Sequence, residues 1–167
     1  MTMLRRRRPP SMVLSVELDP VGGGAGDVVF RLGDFESIGD GHHLARDDAV
    51  AGESVLSASR ALGLLLRKWI DVIETVPPGT TRYVPFAFFD DGTGWLRLNG
   101  RDFRNVAVRP GWASIPGRSF HPTAFSTVER QMNTLSMAHE APEIEIDRVL
   151  LVAQIVTSIH GLPHHRR

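Results

Sequence analysis

Residues 82–109 read RYVPFAFFDDGTGWLRLNGRDFRNVAVR, and two dipeptides inside them, Asp91-Gly92 and Asn99-Gly100, carry the reading of the fold. Each is a preferred loop of a two-residue β-hairpin, because a type I′ turn needs positive φ at both central positions and Asp, Asn and Gly tolerate it. The spacing predicts a three-stranded antiparallel meander. Such turns set the register. Pairing outward from the first puts Phe88 opposite Trp95 and Pro85 opposite Leu98. Outward from the second, Leu98 meets Arg101, Arg97 meets Asp102, Leu96 meets Phe103 and Trp95 meets Arg104.

Two faces follow from that register. One carries Tyr83, Pro85, Ala87, Phe89, Leu96, Leu98, Phe103 and Ala107, which suits burial beneath helices. The other carries Phe86, Phe88, Trp95, Arg97, Asp102, Arg104, Val106 and Val108. One face of an antiparallel sheet can stay in water. Aromatic residues mixed with arginine there have the composition of a binding patch; cover by the C-terminal helix is the alternative. Pro85 cannot donate a ladder hydrogen bond, so its strand needs a free edge or a bulge at that point.

Upstream, 53–76 is the clearest helix. Val55, Leu62, Leu65, Leu66, Trp69, Val72, Ile73 and Val76 recur at three- and four-residue steps, and Pro77-Pro78-Gly79 ends it. Gly63 inside it is expected to admit a close neighbouring backbone. Residues 12–19 and 27–32 read as strands joined by a glycine-rich hairpin loop, and the acidic connection 33–53 holds a short strand at 35–38. The glycines match neither a dinucleotide nor a P-loop spacing. Downstream, 118–125 reads as a further strand, 127–138 stays ambiguous, and 143–146 is a short strand. Asp147 is placed to cap a final helix to His160, stopped by Gly161 and Pro163; its many apolar residues predict burial. The order gives an α+β fold. An antiparallel sheet built on the meander packs against one long central helix and a C-terminal helix, in a single domain over 12–162.

Composition sets the outer bounds. At 167 residues with 42% hydrophobic and 23% charged, the chain has an ordinary globular balance. It has no cysteine, hence no disulfide, thiolate nucleophile or Cys-ligated zinc. No apolar run approaches a membrane span of about 20 residues, and the start lacks the apolar core of a signal peptide. A cytoplasmic location is the expectation. The formal charge is zero only because Arg5 to Arg8 sit in a basic tail; without those four, 15 basic residues face 19 acidic ones, a net of −4. The tail, 1–11, reads as disordered, with Met12 a candidate start; 163–167 is a second tail. Phosphate binding by the arginine arm is the less favoured reading, and nucleic acid is not an expected partner.

The sequence carries little that resembles catalytic or metal-binding chemistry. None of the seven histidines pairs at i, i+4 around a Glu, and His42 and His43 are adjacent in a loop, so no metal site is expected. Ser114 misses the Gly-x-Ser-x-Gly spacing. Asp90-Asp91 could be paired carboxylates, yet the turn explains Asp91 and neither is set to be desolvated. No catalytic residue and no cofactor are assigned.

YVPFAFFDDGTGWLR at 83–97, with VRPGW at 108–112 and GRSF at 117–120, resembles small actinobacterial proteins of the kind associated with immunity proteins of bacterial polymorphic toxin systems. The likeness spans roughly 56–125, and Ala87 stands where that pattern has Asp. It implies a non-enzymatic protein-binding domain that inhibits a toxin by occlusion. Expected contacts are Trp95, Arg97, Arg104 and Trp112, with Asp47 and Asp48 as steering charges toward a basic surface. The competing expectation is a small enzyme or ligand-binding domain, with a pocket between sheet and helix that uses Asp90, Arg109 or His121.

Overall fold

The computed structural model describes residues 12–20, 24–45, 54–134, 136–137 and 141–164. The arginine run at 5–8, Asp47, Asp48, His139 and His165 lie outside them. The α+β class holds, with two antiparallel sheets rather than one. The smaller sheet has the order β1 (Leu14–Asp19), β2 (Asp27–Leu32), β3 (Phe35–Asp40). A short α1 (His42–Ala45) and the long α2 (Val55–Thr75) follow, the latter capped by the Ser54 hydroxyl, which accepts from Ser57 N.

The predicted meander then forms from β4 (Thr81–Phe88), β5 (Thr93–Gly100) and β6 (Asn105–Ala113). Along the far edge of β6 lie β7 (Ser136–Met137) and β8 (Ile144–Asp147), and α3 (Arg148–His160) completes the chain. Pro85 sits as expected: β4 is an edge strand, and its register shifts between Pro85 and Ala87, so that Phe86 bulges out of the pairing.

Neither turn is the predicted one. The first loop takes four residues, 89–92, closed by Phe89 N donating to Gly92 O at 2.9 Å; neither Gly92 nor Gly100 has positive φ. In the second, Asn99 and Gly100 remain in β5, opposite Ala107 and Val106. The cause is tertiary: Gly100 O accepts from Gly79 N at 2.7 Å, and Gly100 N donates to Thr80 O at 3.0 Å. A Cβ on Gly100 would collide with the Pro77 carbonyl, whose carbon it would approach to 2.9 Å. The glycine therefore serves a close approach rather than a turn. The chain reverses at 101–104 instead, where Asp102 Oδ1 accepts from Arg104 N at 2.7 Å and from Asn105 N at 2.6 Å.

These changes exchange the faces. Leu98 pairs with Val108 instead of Arg101, and Trp95 with Pro85 instead of Phe88; both displacements are odd, so each turns a strand's side chains over relative to its neighbour. Leu96, Leu98, Val106, Val108 and Ile146 now share a buried face. The smaller sheet meets that side: Phe30 stacks on Phe86 at 4.4 Å between ring centroids, and a Cβ on Gly39 would touch that of Ala87 at 3.7 Å. Trp69 of α2 packs edge-on against Phe30, which ties the helix to the same core.

On the opposite face, Trp95 lies under a run of 3₁₀ turns, Gly117–Ser119, Pro122–Thr127 and Glu129–Thr134. Its ring stacks on Phe120 at 5.5 Å and meets Phe125 edge-on at 6.4 Å. The strand expected at 118–125 is this covering segment. Glu129 anchors it, accepting from Arg82 at 2.6 and 3.0 Å and from Tyr83 N at 3.1 Å on the free edge of β4.

The C-terminal helix covers an edge as well. The side chain of Gln154 accepts from Val13 N at 3.1 Å and Leu14 N at 2.7 Å, and Ser158 Oγ from Val16 N at 3.0 Å. These are backbone donors along the open side of β1, the outer strand of its sheet. Gln154 and Ser158 are therefore buried, whereas Val149 and Leu150 face solvent, against the expectation of a helix buried on most sides. Gly63 also departs from expectation, since its close neighbour is the Leu162 side chain, at ordinary contact distance, and not a backbone.

Candidate functional site

The expected contact residues do not form one surface. Trp95 is 0% exposed and cannot touch a partner, a correction that follows directly from the register. Arg97 faces Arg109 across β5 and β6, and its partner is Glu143, at 2.8 Å, rather than Asp102. Arg101 meets the same Glu143. Arg104 and Trp112 lie near opposite ends of β6, roughly 25 Å apart at about 3.3 Å per residue. Asp47 and Asp48 lie outside the described residues.

At the Arg104 end, the 101–104 turn and the start of α3 are joined into one junction. Arg104 Nε donates to Asp147 Oδ2 at 2.8 Å, and Arg148 N to Arg104 O at 2.8 Å. The buried Arg148 guanidinium donates to Asp102 O at 2.7 Å and to Ile73 O at 2.9 Å, thereby satisfying a carbonyl in the last turn of α2. Hydrogen bonds from Asn105 N and Arg104 N hold the Asp102 carboxyl below its ordinary value. The Arg104 guanidinium, then the helix amides of Leu150 and Val149, do the same for Asp147. Phe103 stands on this braced turn with 91% of its surface exposed, and Val149, at 78%, and Leu150 are exposed on the adjoining first turn of α3. The sequence reading placed Phe103 on the buried face.

At the Trp112 end, a cavity of about 580 Å³ opens beside the 89–92 loop. Phe89, Trp112, Ala113 and Ile115 supply apolar wall; Asp91, Thr93, Ser114 and Gln131 supply polar groups. Its frame is hydrogen-bonded: Thr93 Oγ1 donates to Ile115 O, and Gly117 N to Phe89 O at 2.8 Å. The Trp112 ring packs at 5.8 Å from Phe89 and 5.5 Å from Phe86. A Cβ on Gly94 would strike the Phe86 ring at 2.6 Å, so that glycine makes room for the aromatic cluster. This cavity lies at the end of the meander, not between sheet and helix, and Asp90, Arg109 and His121 do not line it.

Those three residues do not converge. Asp90, 89% exposed in its side chain, lies 3.7 Å from His43 Nε2. His121 Nδ1 accepts from Thr123 N at 3.2 Å at the head of a 3₁₀ turn. Arg109 sits on the sheet opposite Arg97. Among the described residues no cavity-lining histidine stands beside Ser114 to act as its base. Among the described residues no group of three or more His, Asp or Glu side chains is placed to hold a metal ion, and no helix is long and apolar enough to cross a membrane.

Phe103 was missed because it was assigned to a strand interior. The signal available was Asp102 itself, a short acceptor two residues before Arg104 N in a four-residue reversal. Comparisons with protein families, with curated proteins and with solved structures find no match for this chain.

Proposed function

We propose that this chain is a non-enzymatic protein-binding domain of immunity type, which blocks a bacterial toxin domain in the cytoplasm by occluding its surface. The observation that carries the reading is Phe103, almost fully exposed on a turn that Asp102, Asp147 and Arg148 hold in place. An exposed large aromatic on a mobile loop would cost little to hide; one braced in water is preorganised to enter a pocket on a partner. Arg104 beside it and the exposed Val149 and Leu150 supply the mixed apolar and arginine composition of interface anchors. In this reading the contacts move from Trp95 and Arg97 to Phe103, Arg104, Val149 and Leu150, and Asp47 and Asp48 keep their role as steering charges.

Capture from the native cell, followed by coexpression with the product of the neighbouring gene, tests it. A captured protein that is toxic alone and silent beside this chain is the expected result. Phe103→Ala and Arg104→Ala should each weaken that capture at least about tenfold with the circular dichroism spectrum unchanged. Undiminished capture by the folded double variant would overturn the surface assignment, and absence of any rescued toxicity would overturn the immunity reading.

A further inference from the structure

The cavity at the other end of the meander has a chemistry of its own, independent of that surface. Its volume of about 580 Å³ falls within the range of small-molecule sites, roughly 300–1,000 Å³. Two aromatic rings, Trp112 and Phe89, form part of its wall, and Trp112 is 36% exposed. Among the described residues the one charged side chain in the lining is the carboxylate of Asp91; no lysine, arginine or histidine joins it.

Among the described residues of the lining, a phosphate or carboxylate ligand would meet the Asp91 carboxylate and no cation. A purely apolar ligand would set the Asp91 carboxylate against an apolar surface with no counter-charge. An organic cation satisfies both halves, since ring faces attract an ammonium group electrostatically and a carboxylate neutralises it. We propose that this cavity is a binding site for a small organic ammonium compound, with the cationic head between Trp112 and Asp91 and the remainder of the molecule reaching toward Ser114 and Gln131. The frame that holds the rings is already hydrogen-bonded, so binding requires no folding step.

Choline and its neutral carbon isostere 3,3-dimethylbutan-1-ol are the probes, titrated into the isotopically labelled full chain and followed by amide chemical shifts. Saturable shifts at Gly92, Thr93 and Ala113 with choline, and affinity about tenfold weaker for the isostere, are expected. Asp91→Asn should bring choline down to the isostere's level, and Trp112→Ala should remove both responses while the shifts of the 101–104 turn stay in place. Equal affinity for the two probes, shifts confined to other residues, or tighter binding of glucose at the same amides would each overturn the assignment. None of these readouts depends on the toxin-binding surface, so each proposal can fail alone.

Discussion

Gly100 shows how a local preference yields to its surroundings. Asn-Gly is a strong hairpin signal, yet here the pair continues β5 because the segment after α2 bonds both the N–H and the C=O of Gly100. Positive φ is therefore not what the dipeptide supplies. Asn99→Ala should change stability by less than about 0.5 kcal/mol, whereas Gly100→Ala, driven into the Pro77 carbonyl, should cost about 3 kcal/mol or more. Urea denaturation of the two variants separates these roles, since a type I′ turn at 99–100 would make Asn99→Ala costly too. The same displacement of register decides Trp95 and Phe103: the first is drawn under Phe120 and Phe125, the second is put out into water.

Helix α3 makes the corresponding point for elements. Its limits were readable, because Asp147 accepts from Val149 N and Leu150 N at the start and Gly161 closes the end. Its buried face was not, because apolar content favoured Val149 and Leu150 over Gln154. The neighbour is a strand edge, and a strand edge demands acceptors as well as apolar contact. Gln154→Ala leaves Val13 N and Leu14 N without their acceptor and should destabilise the fold by about 1–3 kcal/mol. Loss in urea midpoint should come with faster aggregation, as the open side of β1 becomes available to a second chain. A Gln154→Ala chain as stable as the parent would show that water replaces the side chain at no cost.

For the molecule as a whole, the junction of Arg148, Asp102 and Asp147 joins the end of α2, the β5–β6 turn and the start of α3. Both carboxyls are lowered from the ordinary 3.8, so their contribution is complete above that value and is lost as pH falls below it and through their folded-state values. Thermal unfolding followed from pH 5 downward to roughly pH 2 should show this loss, and Asp102→Asn, which keeps an Oδ1 acceptor but cannot titrate, should flatten that acid limb. The two groups should respond differently to salt. For Asp147 the leading cause is the hydrogen bond from the exposed Arg104 guanidinium; for Asp102 it is backbone N–H donors. About 1 M salt, with a Debye length near 3 Å, should therefore shrink the Asp147→Asn effect and leave that of Asp102→Asn nearly unchanged.

Periodicity and capping made α2, α3, the first hairpin, the three strands of the meander and the irregularity at Pro85 legible in the sequence, because each depends on contacts within a few residues or on a missing backbone donor. The register between β4, β5 and β6 was not, since it turns on how closely Pro77 approaches Gly100 and on where Asp102 finds its amides. A shift by an odd number of residues costs no local propensity but reverses every side chain. Tertiary packing alone therefore decided that Trp95 is core, that Phe103 is surface, and that Phe89, Asp91 and Trp112 enclose a cavity.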